Sequence, residues 1–286
     1  MKTLIVNEKY DNKKLINFIK DSFPELSLNV LNKALRNKDI KINNIRTKEN
    51  VVIHNGDSIA VYISDEFLYK NISLEKIYED DNILVINKPS NIEVVSLTSN
   101  EKTLTTLLKK DYEFIEPCHR LDRNTTGLVL FAKNQIALDI LLQKFKNKEI
   151  KKFYKCMVYG IPKKGSATLE SYLFKDTKKS MVYISDIPKS GYKKIITSYN
   201  VLEKDIKNNT SILSVTLEFS GRTHQIRAHL AHIGLPIVGD GKYGINSINK
   251  KFNKKIQELC SYKIIFNFST DANVLNYLNQ KEISLF

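Results

Sequence analysis

Residues 118–134, CHRLDRNTTGLVLFAKN, place one carboxylate, Asp122, between Arg120 and Arg123 and follow it with Asn-Thr-Thr-Gly and a long apolar run. The apolar run predicts a buried strand, and Asn-Thr-Thr-Gly is typical of the turn before one. Taken alone, an aspartate in such a turn is most often a turn or cap residue. A lone acid in this basic setting therefore has to be interpreted from the rest of the chain.

The composition indicates a folded, basic protein. The chain has 286 residues, 42% of them hydrophobic, which is enough for one large domain or for a small one and a larger one. Its 45 Lys and Arg residues outnumber 31 Asp and Glu residues and leave a net charge of +14. RNA, DNA and acidic lipid are the first partners to consider. Because a compositional bias of the source genome would also raise the lysine content, the charge alone does not choose among them.

The cysteines and the hydropathy pattern predict a cytoplasmic protein. The three cysteines are widely spaced and form no C-x-x-C pair, so the sequence favours neither a disulfide framework nor a zinc knuckle. A reducing compartment fits this usage. The chain contains no run of eighteen apolar residues and no signal-like start. We therefore expect no association with a membrane.

The first 63 residues form a pattern of their own. Apolar residues recur at helical spacing around Phe18, Ser27 is suited to cap a second helix, and short strands follow at 40–42 and 58–63. On spacing alone, the basic residues around the second helix and its exit form either a solvated face or a binding surface. They are Lys33, Arg36, Lys38 and Lys41.

Two stretches of this region, LNKALRNKDIKINN and NGDSIAV, resemble the small alpha-L RNA-binding module of several ribosomal and RNA-modifying proteins. The resemblance implies an α/β module in which those four basic residues contact RNA phosphates, adding affinity more than sequence preference. We place the module at residues 1–63 and a linker, SDEFLYKNISL, at 64–74.

The remainder, residues 75–286, is richer in strands. Apolar or alternating runs occur in NILVINKP, GLVLFAKN, KFYKCMVYG and SILSVTLEFS, and helices are predicted at 103–110 and 135–147. Because strands and helices do not alternate regularly, we predict an α+β domain with a mixed, largely antiparallel sheet.

Three other interpretations of the motifs are disfavoured. GDGKYG at residues 239–244 satisfies G-x-G-x-x-G, but Pro236 and the lack of a strong helix afterwards indicate a glycine-rich loop, not a dinucleotide site. The histidines of HQIRAHLAH fall within nine residues, yet no carboxylate lies near them until Asp240, so we predict no metal. Cys118 is adjacent to His119, whereas a Cys/His nucleophile pair usually comes from separate parts of a chain.

A second motif changes the interpretation of Asp122. HRLDRNTTGL, at residues 119–128, together with GRTHQIRAHL, at 221–230, closely resembles the paired signatures of the pseudouridine synthases that modify bacterial large-subunit ribosomal RNA and some transfer RNAs. YEDDNILVINKPS, the Lys152-x-Tyr154 element and LCSYKIIF agree in order, so the resemblance covers residues 75–286. The chain departs from the family pattern where Asn91 replaces glycine, Thr126 replaces serine and Cys260 replaces histidine.

The resemblance implies isomerisation of uridine without a cofactor. Asp122 would act on the ribose, either as a nucleophile at C1′ or as a base at C2′. A buried carboxylate needs a nearby cation to stay ionised. Family likeness gives that role to Arg227, and Arg222 is the local alternative.

Further roles follow from the same resemblance. Arg120 would enter the space left by the extruded uridine, and Tyr154 would offer an aromatic face to the uracil. Residues expected to bind or support the substrate are His119, Arg120, Arg222 and Lys88.

We expect a monomer that acts on large-subunit ribosomal RNA as first choice and on transfer RNA as second. Two rival functions remain at this stage. One is a ribosome-associated RNA-binding protein without catalysis, against which the Asp122, Tyr154 and Arg227 set argues. The other is a glycosidic hydrolase, which usually needs a second carboxylate.

Overall fold

The structure is a computed structural model that describes residues 2–23, 26–62, 74–96, 103–218 and 221–286. Over these ranges the chain divides into two compact units, Met1–Ser73 and Leu74–Phe286. The predicted linker, apart from Leu74, lies outside the described residues, as does Phe219 of one predicted strand. Within the described ranges, no helix has the length and apolar character needed to span a bilayer.

The N-terminal unit combines helices with a small sheet. Its helices are α1 (Leu15–Ser22) and α2 (Leu28–Arg36), and a 3-10 helix covers Glu8–Tyr10. Its strands are β1 (Lys2–Ile5), β2 (Lys13–Lys14), β3 (Ile40–Ile42), β4 (Ile45–Thr47), β5 (Val52–Ile53) and β6 (Ser58–Val61). An antiparallel sheet has the order β1-β6-β3-β4, and β2 pairs with β5.

Helix α2 forms for the local reasons that predict it. The Val30 N–H donates a hydrogen bond of 3.3 Å to the Ser27 hydroxyl, which caps the helix. Its buried side chains, Leu31, Ala34 and Leu35, follow the spacing of one helical face and join a core with α1. The opposite face of α2 is left to its polar residues.

The C-terminal unit is built around one large sheet. Its strands are β7 (Glu75–Glu79), β8 (Ile83–Lys88), β9 (Glu116–Pro117), β10 (Thr126–Ala132), β11 (Ile150–Tyr159), β12 (Ser166–Asp176), β13 (Met181–Ser185), β14 (Lys193–Asp205), β15 (Thr210–Leu217), β16 (Leu259–Phe266) and β17 (Glu282–Ser284). The main path is β13-β12-β14-β15-β11-β16-β10-β8-β7, with β9 beside β10 and β17 beside β16. Apart from the parallel pair β10–β16, the described pairs are antiparallel, which confirms the predicted mixed sheet and α+β class.

The helices of this unit are α3 (Leu104–Leu108), α4 (Gln135–Lys146), α5 (Gln225–His232) and α6 (Asn246–Lys251), and a 3-10 helix covers Asn273–Leu278. Helices α3 and α4 lie where the sequence predicts them. Helix α6 follows GDGKYG, where the sequence predicts no strong helix; it has six residues, and no side chain caps its start.

The parallel contact between β10 and β16 requires a glycine. Gly127 pairs with Ser261 and has a φ of +104°. A Cβ at this position would lie 2.2 Å from the Ser261 carbonyl oxygen, far inside van der Waals contact. The Thr126 hydroxyl donates a hydrogen bond of 3.3 Å to the Leu259 carbonyl at the same crossing. This close approach attaches the loop that carries Asp122 to the centre of the sheet.

We expect Gly127→Ala to lower the free energy of unfolding by at least about 3 kcal/mol, because the new Cβ forces the strands apart and the backbone is in the left-handed region. Gly165→Ala is the control, since no atom lies within 4 Å of a Cβ built there, and it should change stability by about 1 kcal/mol or less. Urea unfolding followed by tyrosine fluorescence measures both. Equal stabilities of the two variants would contradict the packing argument.

Candidate active site

Asp122 lies in the loop between β9 and β10, and the buried side chain of Lys88 fixes the backbone of this loop. The Thr125 N–H donates to the Asp122 carbonyl at 3.1 Å, which closes the turn. The Lys88 ammonium donates to the carbonyls of Pro89, Ile92 and Arg123 at 2.8, 2.9 and 3.0 Å. The loop is therefore fixed through its backbone, and the carboxylate of Asp122 is free to project from it.

Lys88, which the resemblance places among the substrate-binding residues, is buried beneath the loop. Its side chain is 0% exposed and its ammonium donates to the three carbonyls. In this structure Lys88 therefore supports the loop that carries Asp122. Asn91, which replaces the usual glycine, has a φ of 66°, a left-handed conformation that asparagine tolerates better than most residues. Its carbonyl accepts a hydrogen bond of 3.2 Å from Arg123 Nε.

Arg227, on α5, contacts the carboxylate of Asp122. The distance from Arg227 Nη1 to Asp122 Oδ2 is 3.1 Å, and the two side chains are 8% and 20% exposed. Arg222, the local alternative, lies at the edge of the same cavity with an exposed side chain, and it forms no ion pair with Asp122 among the described residues. The nearest guanidinium thus comes from a helix more than a hundred positions along the chain.

Asp240 holds the other side of the same guanidinium. Its carboxylate, 0% exposed, accepts from Arg227 Nε at 2.7 Å and from Nη2 at 2.9 Å. The N–H groups of Lys242 and Tyr243 also donate to it, at 2.8 and 3.1 Å. Burial raises the pKa of Asp240, but the hydrogen bonds and charge of Arg227 outweigh burial and lower it below its usual value. Asp240 is therefore an ionised anchor for Arg227.

Helix α5 is fixed against strand β14 by polar side chains. Gln225 Nε2 donates to the Ile196 carbonyl and the Thr197 hydroxyl, both at 3.1 Å. His229 Nδ1 lies 2.9 Å from the same hydroxyl, and its Nε2 lies 3.2 Å from Ser171 Oγ. These contacts set the rotation of α5 and with it the direction in which Arg227 points.

His224 lies just before α5 and presents a ring nitrogen to Asp122. The Tyr243 hydroxyl accepts a hydrogen bond of 2.9 Å from the Val182 N–H, so its own hydrogen is available for His224 Nδ1, also at 2.9 Å. His224 Nε2 lies 4.0 Å from Asp122 Oδ2. Burial lowers the pKa of His224 to about 4 despite the opposing charge of Asp122, so the ring is neutral at pH 7.

A cavity of about 110 Å³ lies over the Asp122 carboxylate. Tyr154, on β11, lines it and is 5% exposed; burial, followed by the charge of Asp122, raises the pKa of this tyrosine above its usual range, so it stays protonated. This cavity brings together five of the predicted site residues: Arg120, Asp122, Tyr154, Arg222 and Arg227. Among the described residues, no group of three or more His, Cys, Asp or Glu side chains is arranged to hold a metal ion.

His119 and the basic residues of the N-terminal unit lie elsewhere. His119 Nε2 accepts a hydrogen bond of 3.1 Å from the Leu130 N–H, and its ring lines a larger neighbouring cavity. Burial lowers the pKa of His119 well below its usual value, and the charge of Lys152 lowers it further. Lys33, Arg36, Lys38 and Lys41 belong to the other unit of the chain.

The comparisons with known proteins agree with this geometry. Residues 82–232 match the family described as RNA pseudouridylate synthase. An uncharacterized RNA pseudouridine synthase of Mycoplasma capricolum is 32% identical, and the match covers 99% of this chain and 97% of that protein.

The chain belongs to the RNA pseudouridine synthase family. It is therefore an isomerase that acts on RNA. The ribosomal large subunit pseudouridine synthase C of Buchnera aphidicola is 33% identical, over 87% of this chain and 84% of the relative. In structure, human RNA pseudouridylate synthase domain containing 1 aligns with a TM-score of 0.58 at 24% identity, over 70% of this chain and 80% of that one. This likeness supports the same fold.

Three residues of this synthase site were not predicted from the sequence as site residues: Asp240, Tyr243 and His224. Asp240 and Tyr243 belong to GDGKYG, which the sequence indicates only as a loop. A signal was available in Gly239, which has a φ of +83° and whose added Cβ would lie 2.0 Å from the Ile256 carbonyl oxygen. A glycine needed for close packing marks a loop with one fixed conformation, and such a loop can position an acid.

We expect Asp240→Asn to lower kcat for uridine isomerisation by about a hundredfold, because Arg227 loses its anionic anchor and no longer holds Asp122 in place. It should also lower the free energy of unfolding by about 3 kcal/mol, the usual result of breaking a buried ion pair. Rates are measured by tritium release from C5-labelled RNA, and stability by urea unfolding.

Asp186→Asn is the control for that variant. Asp186 Oδ1 lies 2.8 Å from His232 Nε2, but the Asp186 side chain is 76% exposed. The change should alter stability by about 0.5 kcal/mol or less and leave kcat unchanged. Comparable losses in both variants would contradict a special role for Asp240.

Proposed function

We propose that this synthase isomerises uridine in large-subunit ribosomal RNA and that Asp122 is its catalytic residue. The observation that carries the assignment is the contact of 3.1 Å between Asp122 Oδ2 and Arg227 Nη1, beside the cavity lined by Tyr154. The relative from Buchnera aphidicola is named for the ribosomal large subunit, which supports that substrate over transfer RNA. Transfer RNA is the second candidate.

The reaction breaks the bond between ribose C1′ and base N1 and forms a bond between C1′ and C5; C5 then loses its proton to solvent and N1 gains one, so the product is an isomer of uridine. Asp122 acts on the ribose, as a nucleophile at C1′ or as a base at C2′. Arg227 orients the carboxylate through the contact of 3.1 Å. Because the uracil stays in the site and recombines, no water has to be activated, and the second carboxylate of a glycosidase is not needed. Both carboxylate oxygens of Asp240 accept hydrogen bonds from Arg227.

A uridine in folded RNA has to leave its stack before its sugar can reach Asp122, at a cost of a few kcal/mol, on the order of 3. Arg120 has an exposed side chain at the cavity and is suited to fill the vacated space and to contact phosphate. The buried ring of Tyr154 provides an apolar surface for the uracil. Neutral His224 is placed to donate a hydrogen bond from Nε2 toward Asp122 or the ribose.

The N-terminal unit acts as an alpha-L type RNA-binding module, joined to the catalytic domain by the linker at 64–74. Lys33, Arg36 and Lys38 have exposed side chains around the end of α2. The Lys41 ammonium lies 5.2 Å from the ring centre of Tyr62, so this cation is presented beside an aromatic face. We further propose that the enzyme works as a monomer in the cytoplasm. The cytoplasm contains its RNA substrate, and a reducing compartment fits the three free cysteines.

Asp122→Asn tests the catalytic assignment. The protein is incubated with large-subunit ribosomal RNA labelled with tritium at uridine C5, from cells that lack the enzyme. We expect the wild type to release tritium without changing the RNA mass apart from isotope exchange, and the variant to lose at least about a thousandfold in rate while it still binds RNA. A hydrolase would instead change the product mass. Release that survives the substitution would refute the role of Asp122.

The same assay decides between substrates. Release from large-subunit ribosomal RNA but not from transfer RNA supports the first choice, and the converse supports the second. Absence of release from every cellular RNA tested would favour an RNA-binding protein without catalysis. A primary isotope effect with uridine deuterated at C2′ would select the C2′ base mechanism over attack at C1′.

Replacing Lys33, Arg36 and Lys38 together by Gln tests the module. The loss of three phosphate contacts should reduce the slope of log Kd against log salt concentration by up to about three, with kcat retained. The matched control replaces Lys13, Lys14 and Lys20 by Gln, which removes the same charge from exposed side chains of the same unit. Equal slopes for the two triple variants would show that only net charge matters.

A further inference from the structure

Lys152 lies beside the site without a role in the proposed reaction. It precedes Tyr154 by two positions on β11, so the two side chains project from the same face of the strand. Lys152 lines the cavity of about 110 Å³ that contains Asp122 and also a second cavity of about 650 Å³ next to it. The lysine therefore marks the junction between the reaction site and a larger space.

The ammonium of Lys152 has no hydrogen-bond acceptor among the residues that the structure describes. Among the described residues, no carboxylate, carbonyl or hydroxyl forms a hydrogen bond or ion pair with it; the contact found is with the ring of Phe145, 5.4 Å from Nζ to the ring centre. Glu218, the one acid in the described lining of the larger cavity, has an exposed side chain and forms no ion pair with Lys152. Burial lowers the pKa of Lys152 to about 8.

Lys88 is a buried lysine with a structural role, and its hydrogen bonds can be compared with those of Lys152. Its ammonium donates to three carbonyls, so its hydrogen-bonding capacity is used inside the protein. A desolvated cation without such partners costs free energy in the folded state. Lys152 carries that cost, and a bound anion would offset it. The geometry therefore favours a ligand for Lys152 and a structural role for Lys88.

Substrate RNA supplies an anion beside every nucleoside. Arg120 lines both cavities as well, so two cations face their junction. Beyond them, the larger cavity is lined by Phe145, whose ring lies near Lys152, and aromatic side chains provide faces on which nucleobases stack. Two cations at the junction and the aromatic ring of Phe145 beyond them match one nucleotide, with its phosphate at the junction and its base in the larger cavity.

We propose that Lys152 binds a phosphodiester group next to the target uridine and that the larger cavity receives the adjoining nucleotide. This inference rests on the proposed function, because it takes the uridine to lie over Asp122. Lys152 is then a substrate-binding residue that places the ribose against the carboxylate. The neighbouring nucleotide also becomes a determinant of which uridines are modified.

Lys152→Met tests the proposal in the full chain. We expect KM for the RNA to rise about tenfold, the usual effect of losing one charged hydrogen bond, with a smaller change in kcat. The slope of log Kd against log salt concentration should fall by about one. The denaturation midpoint in urea should rise, because a half-buried cation without an acceptor among the described residues is removed. A purely structural lysine would give the opposite stability change and no change in slope.

Two lysine variants serve as controls. Lys155→Met removes the same charge from the other face of β11, where Nζ lies 4.6 Å from the ring centre of Phe286; the salt slope and KM should stay at their wild-type values. Lys88→Met should lower the denaturation midpoint, since three carbonyls lose their donor. If Lys155→Met reproduces the slope change of Lys152→Met, general charge and not a phosphate site is responsible, and the proposal fails.

RNA in which a single phosphodiester is replaced by an uncharged linkage identifies the phosphate that Lys152 binds. Once the modified uridine is mapped, a methylphosphonate is introduced at each position flanking it in a synthetic RNA, and KM is measured for wild type and Lys152→Met. One position should weaken wild-type binding about tenfold and leave the variant unaffected. No such coupling at any position, with tritium still released by the wild type, would overturn the Lys152 inference alone. Absence of tritium release by the wild type would instead refute the proposed function.

Discussion

The guanidinium of Arg227 is shared by two carboxylates, and the arrangement of the active site depends on this sharing. Asp240, fully buried, takes Nε and Nη2 in a bidentate pair, and Asp122 receives a bond of 3.1 Å from Nη1. If Asp122 held the bidentate position, both of its oxygens would be occupied. Because Asp240 holds it instead, Asp122 is oriented by one hydrogen bond and keeps free lone pairs for the ribose.

This interaction connects three distant parts of the chain. The Asp122 loop is set by Gly127 at the β10–β16 crossing and by Lys88 beneath it. Helix α5 is held by Gln225 against β14, and the Asp240 loop requires Gly239. These residues fix the backbone of the two loops, or hold α5 by contacts directed away from Asp122. The reacting face is consequently left to groups that can exchange partners with substrate.

The sequence predicts the local elements better than the contacts among them. Strands such as β10 and β15 and the cap of α2 follow from the pattern of apolar residues and from single residues, so their prediction succeeds. Arg227 is recognisable only because its motif resembles that of a known family. The roles of Asp240 and Tyr243 arise from the way a loop returns to α5, and no local pattern encodes that return. The burial of Lys88 was missed because a lysine at the end of a strand ordinarily indicates an exposed position.

The two lysines near the site show how a buried charge that supports the fold differs from one available to a ligand. Burial is the main cause of the lowered pKa of both, to about 7 for Lys88 and about 8 for Lys152, so the pKa alone does not separate them. Their hydrogen bonds do, because Lys88 donates to three carbonyls whereas the contact found for Lys152 is an aromatic ring. A fold selected for stability alone would favour an apolar residue at the second position. The cation at position 152 is therefore best explained by an anion that arrives with the substrate.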